Sequence, residues 1–218
     1  LITLQIIKLS AIDSTNDYLK QLSREKKLDN FTIVVANEQT KGRGQMGSKW
    51  MSEAGKNLTF SVLVKNVMIS NGRLFDWNIV VALAVLEVLE MHEIQNVSIK
   101  WPNDIMADSK KVGGILIENV LKNGESFDSV VGIGLNLNQT NFEHLPKATS
   151  LKRLTDKEYD IFETAEEIAE KIQEKFQKLD ELMPVFWNKY HEKLFKKDKP
   201  LAFEDIKKTE FRIDEINH

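Results

Sequence analysis

Two glycine-rich segments with fixed cations carry the residues most able to do chemistry in this chain. One runs Thr40-Lys41-Gly42-Arg43-Gly44-Gln45-Met46-Gly47. The other begins Lys100-Trp101-Pro102-Asn103-Asp104 and resumes as Lys111-Val112-Gly113-Gly114-Ile115-Leu116-Ile117-Glu118. Glycine lets an anion come close to main-chain N–H groups, and lysine or arginine cancels the charge that it brings. The combination suits a small, anionic, activated ligand. There is no cysteine, which removes disulfides, thiolate metal sites and cysteine nucleophiles, and there is no serine within a Gly-x-Ser-x-Gly motif. His92, His144, His191 and His218 are widely spread and show no metal-ligand spacing, so no structural metal is expected.

The elements that must position these segments follow from periodicity. Leu4 to Leu9 reads as a strand, and Asp13 or Ser14 caps a helix with Tyr18, Leu19 and Leu22 on one face. Thr32 to Ala36 is a buried strand that leads into the first glycine-rich loop, and Asn57 to Val64 returns as another. Leu74, Trp77, Val81, Val85 and Val88 recur at helical spacing, which predicts a long buried helix over Arg73 to Met91. Val97 to Lys100 is a short strand stopped by Pro102, after which Asn103 and Asp104 read either as turn formers or as site residues. Val112 to Leu121 and Ser126 to Leu137 form an antiparallel pair across Asn123-Gly124. Thr164 to Lys189 reads as one amphipathic helix with Ile168, Ile172, Phe176, Leu179 and Leu182 inward. The expected class is α+β, a mixed and mainly antiparallel sheet backed by helices.

A chain of 218 residues suits one main domain with at most a small appendage. Its net charge of −3 argues against bulk attraction to nucleic acid, so any anion site must be local. The apolar run from Ile79 to Leu89 contains Glu87 and falls short of the ~20 residues that span a bilayer. No secretion signal is visible, and with no cysteine a soluble protein of a reducing cytoplasm is expected.

On Ser14-Thr15-Asn16, Gln39 to Gly47, Trp50, Lys100 to Asp104, Lys111 to Glu118 and Gly132-Ile133-Gly134-Leu135-Asn136, in that order, the chain resembles the biotin protein ligases. These enzymes join biotin to ATP and pass it to a lysine of a carrier protein. The resemblance implies a class II aminoacyl-tRNA synthetase-like catalytic domain, with ATP, Mg2+ and biotin as the small molecules and a biotin carboxyl carrier protein domain as the partner. It places the biotin ring among Ser14, Thr15, Asn16, Gln39, Gly42, Gly113, Gly114 and Ile115. It places the adenylate near Gly44, Gln45, Met46, Gly47, Trp50, Lys100, Asn103, Asp104 and Asn136. Arg43 and Lys111 serve both ligands and carry the catalytic role. Each has a plainer reading: Ser14-Thr15-Asn16 as a helix cap, Trp50 as core, Lys100 as a solvated strand end, Asn136 as strand-end structure, and the glycines as a surface turn. Many members carry Arg-Arg where this chain has Gln45 and Met46, which removes two charges that hold the adenylate.

The expected domains are a catalytic unit over residues 1–190 and a shortened or divergent C-terminal segment over 191–218. A five-stranded terminal barrel of the family's kind needs strands of ~5 residues and turns between them, nearly twice the length of that segment. Only thirteen residues precede Ser14, so the short form without a DNA-binding domain is expected, together with a possible homodimer through a sheet edge. Lipoate protein ligase is the nearest rival, but its Arg-Arg-x-Ser-Gly-Gly-Gly segment is absent. The other alternative is a module that binds biotin or a nucleotide without transferring it.

Overall fold

A computed structural model of the chain describes residues 4–68, 74–122 and 126–197, and the backbone of 203–204 and 210–211. Its centre is a seven-stranded sheet in the order β1-β2-β3-β7-β6-β5-β4. The strands are β1 (Gln5–Leu9), β2 (Thr32–Ala36), β3 (Leu58–Met68), β4 (Val97–Lys100), β5 (Asp104–Ala107), β6 (Lys110–Lys122) and β7 (Ser126–Leu135). β1 and β2 run parallel, and every other neighbouring pair is antiparallel.

The two faces of the sheet do different work, because strand side chains alternate. One face carries Ile33, Val35, Phe60, Val62, Val131 and Ile133 into the main core. There the sheet is covered by α2 (Leu74–Met91), α4 (Ile161–Gln177) and α5 (Leu179–Glu192). α2 is buried nearly all round, as an apolar central helix must be, although Leu74 at its start is exposed. Its Trp77 gives the indole N–H to Ser129 at 2.9 Å, which satisfies the one polar atom that this large ring brings into the core. The other face carries Val34, Leu63 and Val130 against Leu19 of α1 (Thr15–Glu25).

Three sequence expectations need correction, and one element is new. Asp104 does not follow Pro102 in a turn but opens β5, opposite Lys100 and Gly114. β5 turns into β6 through Asp108 and Ser109, both at positive φ (46° and 63°), the backbone that a two-residue hairpin between twisted strands requires. The helix read over Thr164 to Lys189 is two helices broken at Lys178 (φ −112°, ψ 12°). α4 starts earlier because the Asp160 carboxylate accepts from Phe162 N and Glu163 N. The break redirects α5, which contains Pro184, so that Met183, Phe186 and Tyr190 turn inward. A short helix that periodicity did not reveal, α3 (Leu151–Thr155), is capped by Ser150.

β6 and β7 pair from Gly113–Leu135 to Lys122–Ser126, and the expected Asn123-Gly124 turn lies outside the described residues. The outer edge of β4 is covered where Ile99 N donates to Lys193 O and Phe195 N donates to Ile99 O. Within 191–218, β8 (Phe203–Glu204) pairs antiparallel with β9 (Glu210–Phe211).

Candidate active site

The register of three strands sets the floor of the site. Ser61, Gly132 and Leu116 form one cross-strand row, Thr59, Gly134 and Gly114 the next, and Leu63, Val130 and Glu118 a third, all facing away from the main core. The start of α1 and the glycine-rich loop close over this floor. Gly132 and Gly134 make the closure possible. A side chain at Gly132 would run into the Asn16 amide, and one at Gly134 into the Trp50 indole. These glycines thus admit the site's own side chains rather than an anion. Gly113 faces the opposite way, against Leu135 and Ile105, and serves strand packing.

Between floor and cover lies a cavity of about 320 Å³. Its polar end is preorganised. Gln39 Oε1 accepts from Thr15 N at 2.8 Å and from Thr15 Oγ1 at 3.0 Å, and the Ser61 hydroxyl is shared between Thr15 Oγ1, at 2.8 Å, and Asn16 Oδ1, at 2.5 Å. Ser14 caps α1 by accepting from Asp17 N, so the cap and the cavity wall are the same residue. Elsewhere on the wall, Asn103 and Ile115 exchange two bonds: Asn103 Nδ2 donates to Ile115 O at 2.9 Å and Ile115 N donates to Asn103 O at 3.0 Å.

Arg43 and Lys111 reach the cavity, and Lys49 joins them on its wall. Lys111 Nζ lies 2.6 Å from Asp104 Oδ1 and 5.8 Å from the centre of the Trp50 ring. Arg43 Nη2 lies 2.7 Å from Asp17 Oδ1 and 2.9 Å from Glu118 Oε2. Burial pushes the Glu118 carboxyl up, but hydrogen bonds from Lys20 and Asn16 and the charges of Lys20 and Arg43 outweigh it and hold the group below its ordinary range. Trp50 Nε1 is buried without a partner among the described residues. Met46 is fully exposed at the rim in the left-handed region (φ 52°, ψ 34°). The site therefore has one end that can read a small polar ring and two cations that can hold carboxylate and phosphate.

Of the expected residues, Ser14, Thr15, Asn16, Gln39, Arg43, Gly44, Gln45, Met46, Trp50, Asn103, Asp104, Lys111, Gly114 and Ile115 come together on the cavity wall. Gly42, Gly47, Lys100, Gly113 and Asn136 stand off it. Asn136 is buried and donates to Thr149 O at 3.0 Å, which ties the end of β7 to the start of α3. Sequence reasoning gave no role to Lys49, Phe60, Asp17, Lys20 or Glu118. The Asp17–Lys20 spacing of three on a helix, and the even spacing of Gly114, Leu116 and Glu118 on a strand, are the signals that point to the last three.

The profile of the Biotin/lipoate A/B protein ligase family matches residues 9–136. The bifunctional ligase/repressor BirA of Escherichia coli is 35% identical over 129 residues, 59% of this chain and 39% of that protein. The biotin--[acetyl-CoA-carboxylase] ligase of Mycobacterium tuberculosis is 33% identical over 152 residues, 67% of this chain and 54% of that one. The chain thus spans about two fifths to one half of the length of these curated relatives. Among solved structures, the biotin protein ligase from Aquifex aeolicus in complex with biotin and ATP superposes with a TM-score of 0.75 at 35% identity, over 88% of this chain and 78% of that one.

Proposed function

The chain belongs to the biotin/lipoate A/B protein ligase family, and we propose that it activates biotin with ATP and transfers it to a lysine of a biotin carboxyl carrier protein domain. The observation that carries this reading is the cavity itself, in which a polar end built from Ser14, Thr15 and Gln39 lies within one enclosure with Arg43 and Lys111. The similarity to ligases of biotin, one of them solved with biotin and ATP, favours biotin over other acyl acids.

In the first step a biotin carboxylate oxygen attacks the α-phosphorus of ATP. The bond to the pyrophosphate oxygen breaks, and biotinyl-5′-AMP and pyrophosphate result. Both reactants are anions, so their mutual repulsion adds to the barrier. Arg43 and Lys111, held near the cavity beforehand by ion pairs with Asp17, Glu118 and Asp104, oppose it. In the second step the carrier's lysine amine attacks the acyl carbon, the bond to the AMP oxygen breaks, and the amine sheds a proton. In this reading Trp50, which lies beside Lys111 and over Gly134, stacks the adenine. Magnesium would be held through the phosphates of ATP, where it would add positive charge.

The reading extends to the carrier as the macromolecular partner, to pairing of two chains through a sheet edge, and to a cytoplasmic location. Supply of ATP and the cysteine-free composition agree with that location. Among the described residues no helix is long and apolar enough to cross a membrane. The catalytic unit is proposed to end near residue 190. Incubation with MgATP, biotin and a carrier domain tests the reading. One biotinyl mass added to one carrier lysine is expected, with the rate reduced by about 100-fold or more in Lys111→Ala, the scale of removing one donor from a developing charge. An unlabelled carrier would overturn it.

A further inference from the structure

The ion pairs behind Arg43 form a closed ring to which the reaction above assigns only support. Asp17 and Lys20 come from α1, Glu118 from β6 and Arg43 from the glycine-rich loop. Lys20 Nζ is 2.9 Å from Asp17 Oδ1 and 2.8 Å from Glu118 Oε1, and Arg43 Nη2 is 2.7 Å from Asp17 Oδ1 and 2.9 Å from Glu118 Oε2. Each acid touches both bases. Two negative charges meet two positive ones, so the charge of Arg43 is already cancelled before a ligand arrives. The hydrogen bonds of the guanidinium with the described residues all run through Nη2. The fork has five N–H donors, and the side chain lines the cavity, so an anion there has donors left to meet.

That anion brings surplus negative charge to a neutral ring, and one acid has to yield. Glu118 is poorly suited to do so: its side chain is 26% exposed, and Asn16 Nδ2 adds another donor at 2.8 Å. Asp17 is 51% exposed, so water can replace the partner that it gives up. We propose that Asp17 is a stand-in for the ligand's anionic group, holding Arg43 until a carboxylate or phosphate displaces it, while Glu118 is the positioning residue that keeps Arg43 on the cavity wall. The inference rests on the reading of the cavity as an anion-activating site. It sets opposite expectations for two acids that touch the same arginine, whereas a merely structural role for both would give the same sign.

Calorimetric titration of the full chain with biotin, with the uncharged primary amide of biotin and with ATP tests it. In Asp17→Asn the anion that Arg43 takes binds about two- to fivefold tighter, the range of a half-exposed ion pair, and the amide binds as before. In Glu118→Gln the same anion binds about tenfold weaker, and Glu118→Asp, which keeps the charge, recovers part of the loss. Tightening with biotin alone assigns the carboxylate to Arg43, and with ATP alone the phosphate. Unchanged or weaker binding of both anions by Asp17→Asn, or an equal gain for the amide, overturns the exchange. If the unaltered protein binds neither biotin nor ATP, the anion-site reading itself fails, a result distinct from the previous one.

Discussion

Replacing Gly132 by alanine tests whether the floor of the site is built for close approach rather than for chain flexibility. The new methyl group would point at the Asn16 amide, with Oδ1 the nearest atom. Asn16 cannot easily withdraw, because it accepts from Ser61 at 2.5 Å and donates to Glu118 at 2.8 Å. Moving it loses one neutral hydrogen bond, about 1 kcal/mol, and one to a carboxylate, about 1.5–3 kcal/mol. Alanine returns about 0.4–1 kcal/mol by restricting the unfolded chain. The net loss is about 2 kcal/mol, which for a chain of this size lowers the melting temperature by about 4–8 °C. Differential scanning calorimetry reads that shift, and biotin titration should show weakened binding in parallel, since Asn16 and Thr15 share the Ser61 hydroxyl. A melting temperature at or above that of the unaltered protein, with biotin affinity retained, would refute the reasoning.

Three further outcomes follow from the same geometry. Burial holds the Tyr190 hydroxyl up at about 12, and the group has no partner among the described residues, so one of the three tyrosines should titrate late in an alkaline absorbance scan. Tyr190→Phe should remove that late step and raise the melting temperature by a few degrees, because a buried orphan hydroxyl costs about 1 kcal/mol or more; a drop would count against it. Asp160→Ala removes the cap that Phe162 N and Glu163 N use at 2.7 and 2.9 Å, and should cost about 1 kcal/mol, read as a loss of about 2–4 °C. For Glu118 the folded carboxyl titrates below its ordinary value of 4.5, so its stabilisation is present above that value and fades as pH falls through the lower folded one. Acid unfolding profiles should therefore be shallower below pH ~4.5 in Glu118→Gln than in the unaltered protein, and superimposable slopes would contradict the assignment.

What could be read in advance divides along the range of the interactions. β2 and β4 were legible to the residue, because β-branched runs bounded by polar or proline residues carry their own signal, and α2 (Leu74–Met91) lies within the expected range, whose first residue, Arg73, falls outside the described residues. The glycine-rich loop and the Lys111 strand were legible for the same local reason as the segments that carry Arg43 and Lys111, which the fold brings to one cavity. The break at Lys178 was not, since the amphipathic period continues across it and only the packing of Met183, Phe186 and Tyr190 requires the turn. β5 was hidden because Asn103 and Asp104 look like turn formers, and only pairing with β4 and β6 makes Asp104 a strand residue. The ion-pair ring joins residues up to about a hundred positions apart, so no window of sequence contains it. Asn136 shows the converse: a motif residue whose side chain is used by the strand end.

The central claim is most directly tested by incubating the protein with MgATP and either biotin or lipoate and looking for the acyl-adenylate by mass spectrometry, with Lys111→Ala alongside. The account predicts biotinyl-5′-AMP from the unaltered chain and little or none from the variant. Lipoyl-adenylate in its place, or no adenylate despite measurable biotin binding, would contradict it.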